Sequence, residues 1–473
     1  MRLNELVSSI RGEQYNMKET EITSLEFDSR KIQHGALFIA LEGMQFDGHD
    51  FIADAIKRGA VAVVTQKKMH IKIPQIVVEN TRTTMAKLAK RFYGNFDDLH
   101  MIGITGTNGK TTTSFLIHSI LETAGMHPGL IGTIYYIGET RAKAKRTTPE
   151  SLVLFGLLDQ FKRGGAKAVV MEVSSHALSL ERVNEIQFQT VVFTNLSQDH
   201  LDFHKTMDEY KAAKMRIFSL LDEDGCAIFN LDDAISKSIK YLKLRNTITY
   251  GWKNRGDVWA NIISDSIAGI QAQVCYKNQK YKINSHLIGD FNIYNILAAF
   301  ATGVAMGIDI DVVISGIEKL QGVKGRVERV VDNVFVDFAH TPSALENVLK
   351  SLRQYVPRKL LVVFGCGGDR DRAKRPKMGA IASRLADFII ITSDNPRSES
   401  PTQIIKDIEN GITLTNYTII EDRREAIRYA LVLKKENDIL LVAGKGHEEY
   451  QMIGDKTLRF SDAEVIRACF ESL

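Results

Sequence analysis

The stretch Gly103–Phe115, GITGTNGKTTTSF, puts a lysine and three threonine hydroxyls directly behind a glycine-rich turn. These are the groups that grip phosphate. Gly106 and Gly109 allow backbone N–H groups to approach an anion closely, Lys110 neutralises β- and γ-oxygens, and Thr111 offers a hydroxyl to Mg²⁺. Thr107, Asn108 and Thr112 complete the turn and the first helical residues. The spacing departs from the usual P-loop, which has four residues between its first glycine and the Gly-Lys pair. Here Gly103 leaves five and Gly106 leaves two.

Further chemistry-bearing residues follow apolar runs. MEVSSHAL carries Glu172 and Ser174, and TNLSQDHLDFH carries Asp199, His200, Asp202 and His204. By spacing alone, His200 and His204 fit a zinc pair on a helical turn, and a solvated polar strand end fits as well. Beside a phosphate loop the better reading is a magnesium site, with Glu172 as a hard oxygen ligand. SDNPRSESP holds Asp394, Asn395, Pro396 and Arg397 after the apolar run DFIIIT. The charged string DRDRAKRPK reads as a solvated loop for Arg372, Lys374 and Lys377, with Arg370 singled out.

The elements that must position these groups alternate between strands and helices. LHMIGITG is a nearly continuous apolar strand and KTTTSFLIHSILETAG a helix ended by Gly125, so the loop sits at a helix N-terminus, where unpaired N–H groups attract phosphate. AKAVVMEVSS, TVVFTNLS and CAIFNLD continue the alternation, which implies right-handed crossovers and a mostly parallel sheet. Ligands of such sheets lie at the carboxyl ends of the strands. Thr247 to Asn284 reads as β-rich, followed by the apolar helix NIYNILAAFATGVAMG. After LQGVKGRVERV the alternation restarts with VFVDFAH, KLLVVFG, DFIIITSD and DILLVAGKG. Short strands and two helices precede YGNFDDLH.

The expectation is an α/β protein of three domains. Residues 1–98 form a small α/β domain, 99–325 a central P-loop-type domain with a mostly parallel sheet, and 326–473 a doubly wound, Rossmann-like domain. A length of 473 residues agrees with about three domains. A net charge of +4 gives no reason to expect nucleic acid or membrane as a partner. The four scattered cysteines suit a reduced, intracellular protein, and the N-terminus lacks the apolar core of a signal peptide. A cytoplasmic location is expected.

GTNGKTT resembles the ATP loop of the Mur ligases and of their relatives, the folylpolyglutamate synthases. The resemblance implies a three-domain enzyme that joins a carboxylate to an amine through an acyl phosphate, with ATP and Mg²⁺. It adds His200 as a ligand of a second Mg²⁺, and Lys214 in YKAAKMRIF as a carbamylated lysine that also binds metal. Lys110, Glu172, His200 and Lys214 become the catalytic set. GDFNIYNILAA resembles the adenine-contacting segment, which implies Asn292 and Asn295. GVKGRVERV and VDFAHTP imply Arg326, Asp337 and His340 on the nucleotide.

EFDSRKIQHGALFIALEG resembles the UDP-sugar-binding portion of one branch, with Ser29 as the contact; a turn with a local side-chain bond explains DSR equally well. KRTTPES and SSHALSLERV imply Thr147, Thr148, Ser174 and Arg182 on a UDP-muramoyl-dipeptide. Leu180 stands where some members have glutamine, so one contact is absent. DNPR resembles the string of members that add meso-diaminopimelate. The physical reason is direct: the distal carboxylate of that amino acid can form a bidentate pair with Arg397, which would repel the bare amine of lysine. Arg370, Gly444 and Glu448 match the remaining donor contacts. The implied setting is peptidoglycan precursor synthesis, hence cell-wall formation, cell shape and division, by a monomer with small-molecule substrates only. The rivals are a lysine-adding ligase, a folylpolyglutamate-type ligase, and a non-catalytic nucleotide-binding protein.

Overall fold

Short runs of β-branched and aliphatic residues form the strands, and where both sheet faces are covered the runs are apolar throughout. The computed structural model describes residues 1–43, 46–413 and 415–471. They fall into two compact units. One comprises Met1–Gly103, Met126–Val191 and Ala213–Gly225, and the other Ile104–Gly125, Val192–Ala212 and Cys226–Leu473.

In the first unit, Ala36–Ile39 and Ala60–Thr65 lie at the middle of a five-stranded sheet and are almost wholly buried. Its order is Glu13–Tyr15, Gln75–Val77, Ala60–Thr65, Ala36–Ile39, Ser24–Glu26. All neighbours are parallel except the edge strand Glu13–Tyr15. The helix Thr81–Tyr93 starts where Asn80 accepts hydrogen bonds from the N–H groups of Arg82 and Thr83, and ends at Gly94 with φ +104°. The same unit holds Ala168–Glu172, parallel to Gly129–Ile131, which continues antiparallel into Tyr135–Ile137 and Arg141–Lys143. Those last three short strands have no counterpart in the sequence reading.

In the second unit, the expected β-rich piece is a run of strands: Asn246–Gly251, Val258–Ser266, Gly269–Tyr276 and Gln279–Ser285. The last three pair antiparallel as a meander. The apolar helix Asn292–Ala305 follows and is buried along most of its length.

A six-stranded sheet occupies the C-terminal part. Its order is Glu328–Val331, Val334–Asp337, Ile439–Ala443, Leu360–Phe364, Phe388–Ile391, Tyr417–Ile419, parallel except for the first. Helices cover both faces, which splits the core in two. Leu360, Val362 and Phe364 point into one half, and Leu361 and Val363 into the other. This is the doubly wound arrangement the alternation implied.

One expectation is corrected here. Within DRDRAKRPK, the helix Lys374–Leu385 begins at Lys374, and both Lys374 and Arg375 are buried. Burial is tolerated at Arg375 because Glu399 and Asp407, far along the chain, supply the opposite charges at 2.8–3.0 Å. Arg372 keeps its side chain in solvent while pairing with Glu399, and Lys377 is exposed.

Candidate active site

The glycine loop explains its own spacing. Gly103 belongs to the strand His100–Thr105, and a Cβ there would stand 2.8 Å from the ring of Phe188, so it is a packing glycine. The turn proper begins at Gly106, with φ +143°, where a Cβ would fall 1.9 Å from Thr194 Oγ1. Gly109 has φ +84°, and its Cβ would meet Asn295 Oδ1 at 2.4 Å. Glycine is required at both on conformational and steric grounds. The helix Lys110–Thr123 then starts at the lysine.

Three backbone groups of the turn are fixed by Thr194 and Asn195 of TNLS. The N–H of Thr107 donates to Asn195 O at 2.9 Å and that of Asn108 to Asn195 Oδ1 at 2.9 Å. The Asn108 carbonyl accepts from Thr194 Oγ1 at 2.7 Å and from Asn195 Nδ2 at 3.0 Å. Thr107 Oγ1 donates to Ser197 O and accepts from the N–H of Ser197. Lys110 Nζ donates to the carbonyls of Gly106 (2.7 Å) and Thr107 (2.8 Å), which seats the ammonium over the turn. Thr194, Asn195 and Ser197 were not singled out in the sequence reading. The signal was there: polar residues directly after the apolar strand Phe188–Phe193.

Asn292 and Asn295 stand behind this loop. Both are buried; Asn295 Nδ2 donates to Asn292 Oδ1 at 2.7 Å, and its Oδ1 accepts from Thr113 Oγ1 at 3.2 Å. In this arrangement their amides shape the loop. Thr111 and Thr112 are buried in the first helical turn, and Thr111 Oγ1 accepts a hydrogen bond from Arg326 Nη2 at 3.1 Å. The guanidinium of Arg326 also lies 4.7 Å from the Phe338 ring centroid. Asp337 ties the chain beneath it, accepting from the N–H groups of Val327 (2.7 Å) and Ala339 (2.7 Å). Burial pushes the Asp337 carboxyl up to about 6, against the pull of Arg326 and those two N–H groups. Val327 is held at φ +46°, a strained conformation for a β-branched residue.

His340 Nδ1 lies 2.8 Å from Phe338 O, and its Nε2 lies 4.0 Å from Asp199 Oδ2. Asp199 also stands 3.4 Å from His200 Nε2. Burial would raise the Asp199 carboxyl, but the charges of His200, His340 and Lys374 and the His200 N–H bring it down to about 2. His200 itself sits at φ +54° at the start of the short helix Leu201–His204. Among the described residues no group of three or more His, Cys, Asp and Glu side chains could hold a metal ion, so no zinc cluster forms around His200 and His204.

In the first unit, Glu172 is fully buried at the end of its strand. Its two oxygens accept from the N–H (2.8 Å) and the hydroxyl (2.9 Å) of Thr133. Thr133 Oγ1 also reaches Thr147 Oγ1 at 3.2 Å. Thr148 Oγ1 donates to the Glu172 carbonyl (2.8 Å) and accepts from the N–H of Ser174 (3.0 Å), whose hydroxyl caps the next helix. Arg182 Nη1 donates to the Thr148 carbonyl, and its Nη2 pairs with Glu150 at 2.9 Å. The structure therefore gathers Thr147, Thr148, Glu172, Ser174 and Arg182. Glu150, which also binds Arg82 and Arg146, was not foreseen. Ser29 is buried in a one-turn helix where Asp28 caps Arg30, so the local turn is real. Lys214 is buried in the last turn of Met207–Met215.

The DNPR string is the most tightly tied part of the C-terminal sheet's edge. Arg397 adopts φ +52°; its N–H donates to Met452 O (3.1 Å) and its carbonyl accepts from Gly454 N–H (2.8 Å). Its Nη1 donates to Gly368 O at 2.6 Å. Burial and the neighbouring charge of Arg370 lower its pKa, while Asp394 and Glu448 oppose that. Asn395 links Glu448, Lys445 and Met452. Gly444, at φ +112°, brings the backbone so close to Asp394 that a Cβ would fall 2.7 Å from its Oδ2. Arg370, Asp394, Asn395, Arg397, Gly444 and Glu448 are thus brought together around the loops 366–372, 394–399 and 444–452.

A variant phosphate loop after one parallel strand and a charged cluster at the edge of a second sheet are features of a nucleotide-binding α/β protein, and the family matches make it a ligase. Residues 21–93 match the Mur ligase family catalytic domain, 104–303 the Mur ligase middle domain, and 325–446 the Mur ligase glutamate ligase domain. The chain belongs to the Mur ligase family. It is 44% identical over 479 residues to a Bacillus velezensis protein named UDP-N-acetylmuramoyl-L-alanyl-D-glutamate--2,6-diaminopimelate ligase, covering 98% of each chain. A Clostridium tetani protein of the same name is also 44% identical, with both chains fully covered. A solved structure bearing that enzyme name has 33% identity and a TM-score of 0.70, over 100% of this chain and 99% of its own.

Proposed function

We propose that the protein is an ATP-dependent amide ligase that adds meso-diaminopimelate to UDP-N-acetylmuramoyl-L-alanyl-D-glutamate in cytoplasmic peptidoglycan precursor synthesis. The observation that carries this reading is the seat of Lys110, held over a turn whose carbonyls and N–H groups are locked by Thr194 and Asn195. Bracing of this kind lowers the cost of ordering the turn around a triphosphate, and preorganised charge is the main source of rate in phosphoryl transfer.

The acceptor's glutamate side-chain carboxylate attacks the γ-phosphorus, and the bond to the bridging oxygen breaks to release ADP. Lys110 neutralises the phosphoryl oxygens as charge moves on to them. Thr147, Thr148, Ser174 and Arg182 hold the anionic acceptor, with Ser29 on its UDP end. The donor's amine, having lost a proton, attacks the acyl carbon, and the tetrahedral intermediate expels phosphate. Arg326, Asp337 and His340 close over the nucleotide and exclude water from the acyl phosphate.

Taken one by one, the donors suit Mg²⁺: the Thr111 hydroxyl and His200 in one unit, and the buried Glu172 carboxylate and Lys214 once carbamylated in the other, are mostly hard oxygen ligands. When bound, Mg²⁺ supplies positive charge to phosphoryl oxygens and orients them. Asp394, Asn395, Pro396, Arg397, Arg370, Gly444 and Glu448 receive diaminopimelate. Arg397, with Arg370 beside it, favours a donor with a distal carboxylate over lysine. The three matched stretches support the division at 98 and 325, and the enzyme is read as a monomer.

Mass spectrometry tests the reaction. With ATP, Mg²⁺, the UDP-dipeptide and meso-diaminopimelate, the acceptor gains the mass of one diaminopimelate minus water. An unchanged acceptor mass beside consumed ATP would overturn the reading.

A further inference from the structure

Lys445 lies in the loop after the strand Ile439–Ala443, and its side chain is completely buried. Its ammonium donates to Glu448 Oε2 at 2.9 Å and to Asn395 Oδ1 at 3.1 Å. Asn395 Nδ2 donates to the same Glu448 oxygen at 2.8 Å. Glu448 Oε2 is therefore clamped by two donors. Its Oε1 is faced by the Tyr450 hydroxyl at 3.5 Å, too long for a good O–H···O bond.

A buried ammonium is a poor way to fill space. A methionine has similar length and carries no desolvation cost, so the charge needs a reason. The neighbourhood provides one: Asn395, two residues before Arg397, is bonded to both Lys445 and Glu448, so the lysine, the carboxylate and the DNPR loop form one cluster. Arg397 Nη1 donates to the Gly368 carbonyl at 2.6 Å, while the Glu448 charge is answered by Lys445.

We propose that Lys445 is a positioning residue for the donor amino acid: by holding Glu448 Oε2, it keeps Oε1 for the donor's distal ammonium and leaves Arg397 for the distal carboxylate. This rests on the diaminopimelate reading above. The donor class it selects has an ammonium and a carboxylate on one carbon at the far end of the chain.

The experiment is steady-state kinetics on the full chain with Lys445→Met, Glu448→Gln and the double variant, with thermal midpoints measured alongside. Lys445→Met should raise the KM for meso-diaminopimelate at least about tenfold, with the KM for ATP and for the UDP-dipeptide within about twofold of wild type. In the Glu448→Gln background the same substitution should add less than about twofold, because its effect passes through that carboxylate. The double variant leaves no unpaired buried charge, so it remains measurable if Lys445→Met folds poorly. An unchanged KM for the diamino acid, a parallel rise for all three substrates, or effects that multiply in the double variant would each overturn the assignment. Wild-type protein that joins no diamino acid to the acceptor would overturn the functional reading and this assignment together; the other results overturn the assignment alone.

Discussion

The glycine loop proposed for the nucleotide and the charged cluster proposed for the donor both sit at the carboxyl ends of parallel strands, yet they are built in different ways. The loop is held by backbone groups: Gly106, Thr107 and Asn108 are pinned through carbonyls and N–H groups, and a single lysine supplies the charge. The cluster is held by charged side chains from remote segments. Arg375, Glu399 and Asp407 brace one side, and Lys445, Asn395 and Glu448 the other. A phosphate is bound by what any backbone offers once glycine permits approach. A diamino acid must be told from its analogues, and that takes opposed charges at fixed places.

The largest expected effect is on the loop. Lys110→Ala should lower kcat by about a thousandfold or more, because no backbone donor replaces its charge on the phosphoryl group. A stopped assay of ADP formation measures it, and retained turnover would break the contrast. Next, Arg397→Ala should raise the KM for diaminopimelate by about a hundredfold while that for ATP stays put. Equal rises in both would show that the two regions are not separable.

A third effect concerns stability. Arg375→Met leaves Glu399 and Asp407 without their buried partner, and should cost about 3 kcal/mol in denaturant unfolding. The smallest is a pH effect. The Glu399 carboxyl is held down to about 2, chiefly by its bond from Arg375. Because its folded pKa is depressed, its contribution is complete above the unfolded value near 4.5 and is lost as pH falls towards 2. Wild type should therefore lose more stability between pH 5 and pH 3 than Glu399→Gln does, as unfolding midpoints at about those pH values would show.

The same contrast decides what could be read from the sequence. The loop's glycines, lysine and following helix are contiguous, so the local pattern disclosed them. The alternation of apolar strands and helices likewise disclosed the C-terminal sheet and its four long strands, but not that Ile439–Ala443 lies between Val334–Asp337 and Leu360–Phe364. What escaped depends on distant partners. Lys374 reads as a solvated charge until its helix start is found buried, and Arg375 beside it is held by Glu399 and Asp407 from far along the chain. Thr194 and Asn195 are ordinary strand-end polar residues until the turn of Thr107 and Asn108 packs on them. The strands Gly129–Ile131, Tyr135–Ile137 and Arg141–Lys143 are too short to show a period, and pairing alone defines them.

Donor-dependent phosphate release tests the account most directly. With ATP, Mg²⁺ and the UDP-dipeptide, release should follow addition of meso-diaminopimelate and be far slower with L-lysine or with no amino acid. Equal release with lysine, or none with any donor, would contradict it.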